Sequence, residues 1–373
     1  MARSSRTTFA AVAVTVAAAA ALLGLIAGGH GDDDGPAAKP GPLASLSIRQ
    51  IAGQRLIAGF DGPEPPPTLL RMLAAGELAG VILFADNIAG ERPTRRMAAA
   101  LQEAAARGPI DDPLLVMVDQ EGGAVSRIAG PPVASAAEMA RRGADFAAAQ
   151  GRATAALLRR YGINVDLAPV LDLARPGSAI AAERRSFGSE PGDVVAIGVD
   201  GFAAGLRDGG VAPTAKHFPG LGAAAVNTDF DAQSIRLSRG MLRADEEPFA
   251  AFADSGGELI MLGLASYSAF GNVPAALDPE IAAGELRGRL GYDGVSITDS
   301  LDAEAARAWG DRREVALAAA DAGSDLLLYG DARVAGDSLD DLAAGLRAGD
   351  LERPAFRRSV ARVLALRAGL GDG

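Results

Sequence analysis

Short apolar runs without strict alternation recur at residues 55–60, 80–84, 114–118, 164–170, 211–215, 259–264, 295–298 and 325–329. A strand buried on one face alternates apolar and polar side chains, whereas one buried on both faces reads as a continuous apolar run. The longer alanine-rich stretches between them, such as 93–107, 136–160 and 193–208, carry apolar residues at helical spacing, with charged residues filling the other face. Strands separated by helices pair in parallel. The pattern therefore predicts an α/β fold, a single-domain (β/α)8 barrel of the TIM type, with an open doubly wound sheet as the second arrangement it allows. No fixed-period repeat of the solenoid kind is present.

The first apolar segment belongs to neither pattern. Arg3 and Arg6 precede a stretch, 9–29, that has no charged residue and ends in Ala27-Gly28-Gly29. A basic start followed by an apolar run is an export signal, and this run is near the length that spans hydrocarbon. Residues 1–29 are thus a signal peptide or an N-terminal membrane anchor. Residues 30–45, rich in Gly, Pro and Asp, read as a disordered linker, and the folded domain is expected to run from 46 to 373. The exported part is then extracytoplasmic, either secreted or held at the cell membrane.

Composition narrows the chemistry. Of 373 residues, 36 are basic and 47 acidic, which gives a formal charge of −11, and there is no cysteine. Disulfides, thiolate metal sites, a cysteine nucleophile and a lipid carried on an N-terminal cysteine all need a thiol that the chain lacks. An acidic chain without clustered Lys and Arg is not a nucleic-acid binder. With only His30 and His217, no multi-histidine metal centre can be assembled. Nothing calls for a cofactor or a metal, and a monomer acting on a small neutral or cationic ligand fits best.

In a parallel barrel, chemistry gathers where the strands end. Asp119-Gln120-Glu121-Gly122-Gly123 follows the third run, Lys216-His217 the fifth and Asp299 the seventh. Each has a plainer reading alone, an aspartate capping the next helix or a solvated lysine. Recurring at equivalent positions, they point to a site. A lysine at a strand end is also what a Schiff-base aldolase uses, which keeps that reading of Lys216 open. The aspartates within 164–172 read as strand-end hydrogen-bonding groups.

The segments Gly80-Val81-Ile82-Leu83-Phe84, Asp119-Gln120-Glu121-Gly122-Gly123, Arg185-Ser186-Phe187-Gly188, Lys216-His217-Phe218-Pro219-Gly220 and Ile297-Thr298-Asp299 resemble glycoside hydrolase family 3 in order and spacing. The resemblance runs from residue 51 to 366 and is nearest to the single-domain bacterial β-N-acetylhexosaminidases. It implies a retaining mechanism with Asp299 as nucleophile and with Asp119, Arg127, Arg185, Lys216 and His217 gripping the hydroxyls of a carbohydrate substrate, an N-acetylglucosamine-type glycan. Lys216 and His217 are expected to keep Asp299 ionised.

Departures from the family pattern are specific. Leu221 stands where the first loop histidine is expected, and Asn227-Thr228-Asp229 aligns with the triplet that carries the acid/base histidine. Leu264 replaces a further histidine, and Ala124 stands where a second arginine is frequent. Asp229, itself a carboxylic acid, is the candidate replacement, carried on a Gly/Ala-rich loop, 219–231, that would swing it over the sugar. The competing implication is a glycan-binding pseudoenzyme tethered at the membrane.

Overall fold

The computed structural model describes residues 42–370; the leader and most of the expected linker lie outside the described residues. A one-turn helix, Pro42–Ser45, opens the described chain, and Leu43 and Leu46 already pack on the core. Ser47 then caps the helix Ile48–Gly53 through a reciprocal capping box with Gln50. Among the described residues no helix is long and apolar enough to cross a membrane.

Eight parallel strands form the centre: β1 Leu56–Ala58, β2 Gly80–Leu83, β3 Leu115–Val118, β4 Val165–Asp166, β5 Ala212–Phe218, β6 Leu259–Leu262, β7 Val295–Thr298 and β8 Leu327–Tyr329. Each of the eight apolar runs supplied one strand. Neighbours in sequence are neighbours in space, and β8 pairs back onto β1 with Leu56 opposite Leu327. The ring closes between β7 and β8 through a bridge of Ile297 with Leu326, where Thr298 N–H donates to the Leu326 carbonyl at 2.9 Å. This is the barrel; the doubly wound alternative is set aside because an open sheet would leave β7 and β8 as edges.

Alternation, hidden in the sequence, reappears in space. Ile57, Ile82, Leu115, Met117, Val165, Leu167, Ala212, Leu259, Met261, Val295, Ile297 and Leu328 form an inner cluster. Their chain neighbours, including Leu56, Val81, Val116, Ile260 and Tyr329, face the helices. Both faces are buried, so most positions on either are apolar, and the polar exceptions within the strands, such as Thr214, Ser296 and Thr298, are buried as well.

Helices cover the outside, among them Glu91–Ala105, Arg239–Asp254, Arg312–Ala322 and Ala332–Ala348. The expected helix over 136–160 is two, Ala136–Arg142 and Ala144–Tyr161, because Gly143 sits at φ 91°, outside helical space, and serves as the end of one and the start of the next. Backbones approach closely where Ala144–Tyr161 meets Ala204–Asp208: a Cβ on Gly205 would lie 2.3 Å from the Ala148 carbonyl oxygen.

At the opposite end from the strand termini that carry chemistry, the fully buried Asp325 is clasped by Arg287 and by two nitrogens of Arg362, and accepts the Ser296 N–H at 2.9 Å. Arg55, also buried, points into the same region and donates to the carbonyls of Asp325 and Ala320. Burial lowers its pKa to about 10, the nearby Arg362 adding to that and Asp325 opposing it.

Candidate active site

Following the inward positions up a strand leads from barrel core to cavity. Met117 precedes Asp119 by two residues, Ile297 precedes Asp299, and on β5 the buried Thr214 precedes Lys216, so side-chain alternation places the charged groups one layer above the barrel filling. They border a cavity of about 520 Å³ at the C-terminal ends of the strands. Asp119, Arg127, Arg185, Lys216, His217, Asp229 and Asp299 all line it. Residues up to 180 positions apart in sequence (Asp119 and Asp299) are thus brought together.

Lys216 is 3% exposed, not solvated, with its Nζ 2.7 Å from Asp119 Oδ1 and 2.7 Å from Glu121 Oε1. Burial alone would push its pKa down, but the two carboxylates outweigh it and hold the ammonium charged beyond its usual range. That overturns the Schiff-base reading, since an amine nucleophile must lose its proton. Arg185 forks onto Glu121 through Nε at 2.8 Å and Nη2 at 2.9 Å. Arg127 reaches Asp119 at 3.5 Å, and its backbone N–H donates to the Gln120 side chain. Glu121, which sequence reasoning passed over as part of a glycine-rich turn, is therefore the counter-ion of two cations that line the cavity. Burial pushes its pKa up, yet Lys216 and Arg185 pull it down to about 2. Gly122 and Gly123, at φ 92° and 64°, make the tight turn that brings Glu121 and Val125–Ser126 to the same wall.

His217 follows Lys216 through a cis peptide bond. Its Nδ1 lies 2.7 Å from Oδ2 of the fully buried Asp172, whose Oδ1 accepts the backbone N–H of His217 at 3.1 Å and of Leu221 at 2.6 Å. Asp166, equally buried at the end of β4, accepts the Gln120 N–H at 3.0 Å and leaves Oδ2 without a hydrogen-bond partner. Burial raises its pKa well above the usual range, Asp119 and Glu121 adding to it while Lys216 and the Gln120 N–H oppose it. These two aspartates act as the hydrogen-bonding groups the sequence suggested.

Asp299 stands deep among protein atoms while keeping part of its surface open to the cavity. Its Oδ1 accepts the Ser300 N–H at 2.8 Å. Lys216 and His217, expected to keep Asp299 ionised, each favour its charged form. Both pull its pKa downward, but burial, joined by the charge of Asp229, prevails and the net shift is upward.

The loop 219–231 uses its small residues for close approach. Gly222 has no room for a Cβ, which would lie 2.0 Å from the Leu173 carbonyl oxygen. Leu221 is buried, and Tyr267 Oη donates to the Gly220 carbonyl at 3.0 Å. At its far end, the carbonyls of Thr228 and Asp229 accept the N–H groups of Ala305 and Glu304, both at 3.3 Å. At this far anchor the side chains of Asn227 and Asp229 face the cavity, bonded to each other at 3.2 Å, and Phe230 is exposed beside them. Ala124 and Glu183 complete the rim, and Phe84, Met261 and Leu328 supply apolar surface. Leu264 is buried and lies outside the lining. Among the described residues no group of three or more His, Cys, Asp or Glu is arranged to hold a metal ion.

Compared with known proteins, residues 50–366 match the glycosyl hydrolase family 3 N-terminal domain. A protein of Arthroderma benhamiae named "Uncharacterized secreted glycosyl hydrolase" is 35% identical over 343 residues, which is 90% of this chain and 97% of that one. A β-hexosaminidase of Xanthomonas campestris pv. campestris is 33% identical over 298 residues, 77% of this chain and 88% of that one. In structure, the family 3 β-N-acetylglucosaminidase from Paenibacillus sp. str. FPU-7 superposes with a TM-score of 0.83 at 32% identity. That match takes in 88% of this chain and 64% of that one, so this chain spans just under two thirds of that protein. A cavity at the strand ends of a closed parallel barrel, walled by the same segments that carried the sequence resemblance, agrees with these matches, and the chain belongs to glycosyl hydrolase family 3.

Proposed function

We propose that this protein is an exported, retaining exo-glycosidase that removes a terminal N-acetylhexosamine residue from a cell-wall or environmental glycan. Asp299 attacks the anomeric carbon, and the glycosidic oxygen leaves with a proton from Asp229. Water, deprotonated by Asp229 in the second step, then releases the sugar from the glycosyl ester on Asp299. Asp119, Arg127, Arg185, Lys216 and His217 hold the ring hydroxyls while this happens. Fixed orientation of this kind lowers the barrier by removing freedom before the bond breaks.

One observation carries the reading. Asp299 and Asp229, from the loops after β7 and β5, line the same cavity. A retaining mechanism needs two carboxyl groups beside one bound sugar, one to attack the anomeric carbon and one to protonate the leaving oxygen. The names of relatives, a β-hexosaminidase and a β-N-acetylglucosaminidase, support the N-acetylhexosamine, and the name of the fungal relative supports export. The second reading, a sugar-binding protein without turnover tethered by residues 1–29, draws on Leu221: a buried leucine occupies the loop-histidine position.

A pair of substrates separates the two. An aryl glycoside with a good leaving group needs little protonation, whereas an alkyl glycoside needs the acid. Asp229→Asn is expected to slow the alkyl substrate about 10²–10⁴-fold and the aryl substrate far less. Equal slowing of both would remove Asp229 from the acid role. A fluorosugar that traps the glycosyl ester is expected to label the peptide containing Asp299. Failure to cleave either substrate, with the sugar still raising thermal stability, would leave the binding reading standing.

A further inference from the structure

We infer that Asp172 is a positioning residue that fixes the proton of His217 on Nδ1, so that Nε2 is the nitrogen presented to the sugar. This deepens the proposed glycosidase site and rests on that reading for its functional consequence, though not for the tautomer itself.

The hydrogen-bond inventory around Asp172 leaves little choice. Its side chain is fully buried, and Oδ1 already accepts two backbone N–H groups, from His217 at 3.1 Å and Leu221 at 2.6 Å. Oδ2 faces His217 Nδ1 at 2.7 Å. A carboxylate has acceptors only, so the proton in that short contact belongs to Nδ1. In the neutral imidazole the other nitrogen is then an acceptor. The two ring nitrogens lie on different edges; with the Nδ1 edge turned to buried Asp172, the Nε2 edge is what His217 contributes to the cavity it lines.

The consequence is a division of labour among the sugar-facing groups. Lys216 and Arg185 are fixed donors, each tied to Glu121, and Asp119 is a fixed acceptor. A sugar hydroxyl both gives and takes a hydrogen bond, so the wall must offer acceptors as well as donors. An unprotonated Nε2 adds a neutral acceptor beside the charged one at Asp119. The same carboxylate pins Leu221, the entry to the loop that carries Asp229, so Asp172 couples the orientation of the ring to the placement of that loop.

The chain has only two histidines, which makes the test direct. Protein labelled with ¹⁵N in its histidine rings, with His30→Gln to leave a single ring, is examined by long-range ¹H–¹⁵N spectroscopy at about pH 8, where free histidine is neutral. The expected spectrum is that of the Nδ1–H form, with the Nε2 resonance moving on addition of N-acetylglucosamine. Asp172→Asn places an amide opposite the ring and is expected to convert it to the Nε2–H form, with kcat/KM falling about ten- to hundred-fold, carried mainly by KM. An Nε2–H form in the unmodified ring, or an Asp172→Asn variant that keeps the Nδ1–H form, overturns the inference. Should the variant not fold, the spectrum with Asp172 intact decides alone. An Nδ1–H ring in a protein that cleaves no glycoside upholds the role of Asp172 and refutes the proposed function instead.

Discussion

Replacing Glu121 by Gln removes one negative charge from between two buried cations while keeping the shape of the side chain. In the native site Arg185 holds both Glu121 oxygens and Lys216 holds one of them, with Glu121 and Lys216 buried. The glutamate pKa of about 2, against an ordinary 4.5, corresponds to roughly 3 kcal/mol of preference for the charged form, at 1.36 kcal/mol per unit. Breaking a buried ion pair by removing one partner costs about 3–5 kcal/mol, because the other charges stay buried without compensation. Glu121→Gln should therefore lower Tm by on the order of 10 °C.

The natural control touches the same arginine. Glu183 meets Arg185 Nη1 at 3.3 Å but is 38% exposed, where solvent screens the pair, so Glu183→Gln should cost about 0–1 kcal/mol. The sign of the pH dependence adds a second criterion. A carboxyl whose folded pKa lies below its unfolded one stabilises fully above about pH 4.5, and that contribution is lost as pH falls toward 2. The unfolding curves of native protein and Glu121→Gln, well separated at pH 7, should converge on acidification through that window. The assay is chemical or thermal unfolding of both variants from pH 7 downward. A Glu121→Gln penalty no larger than that of Glu183→Gln, or one that does not change between pH 4.5 and 2, would refute the reasoning.

Three further outcomes follow from the same geometry. Because burial raises the pKa of Asp299, the acid limb of kcat/KM for an aryl glycoside should have its midpoint above 3.8, the ordinary aspartate value; a midpoint below it would contradict an upward shift in the nucleophile. Gly205→Ala forces a methyl against the Ala148 carbonyl oxygen 2.3 Å away and should cost about 1–3 kcal/mol in denaturant unfolding, whereas an unchanged midpoint would mean that the two helices separate freely. Asp325→Ala leaves Arg287 and Arg362 without their shared anion and should cost about 3–5 kcal/mol, with kcat unchanged at temperatures where the variant stays folded. A loss of kcat there would connect the two ends of the barrel in a way their separation does not explain.

The sequence by itself determined the scaffold and the identities at the strand ends. Eight apolar runs were enough for eight strands, because a strand buried on both faces is apolar at most of its positions, whereas the break at Gly143 within the expected 136–160 helix showed only in the fold. It also named Asp119, Lys216, His217 and Asp299, since a polar residue just beyond an apolar run stands out. What it left undecided was every property set by partners distant along the chain. Glu121 read as part of a turn until Arg185, 64 positions on, closed over it. Lys216 read as solvated or as a nucleophile until two carboxylates were seen to bury and hold its charge. The direction of the Asp299 shift depended on whether burial or neighbouring cations win, and that balance is a matter of depth, which only the folded chain defines. Residue types and short-range pattern are written in the chain; burial, pairing and the electric field they create arise when β3, β5 and β7 close into one ring.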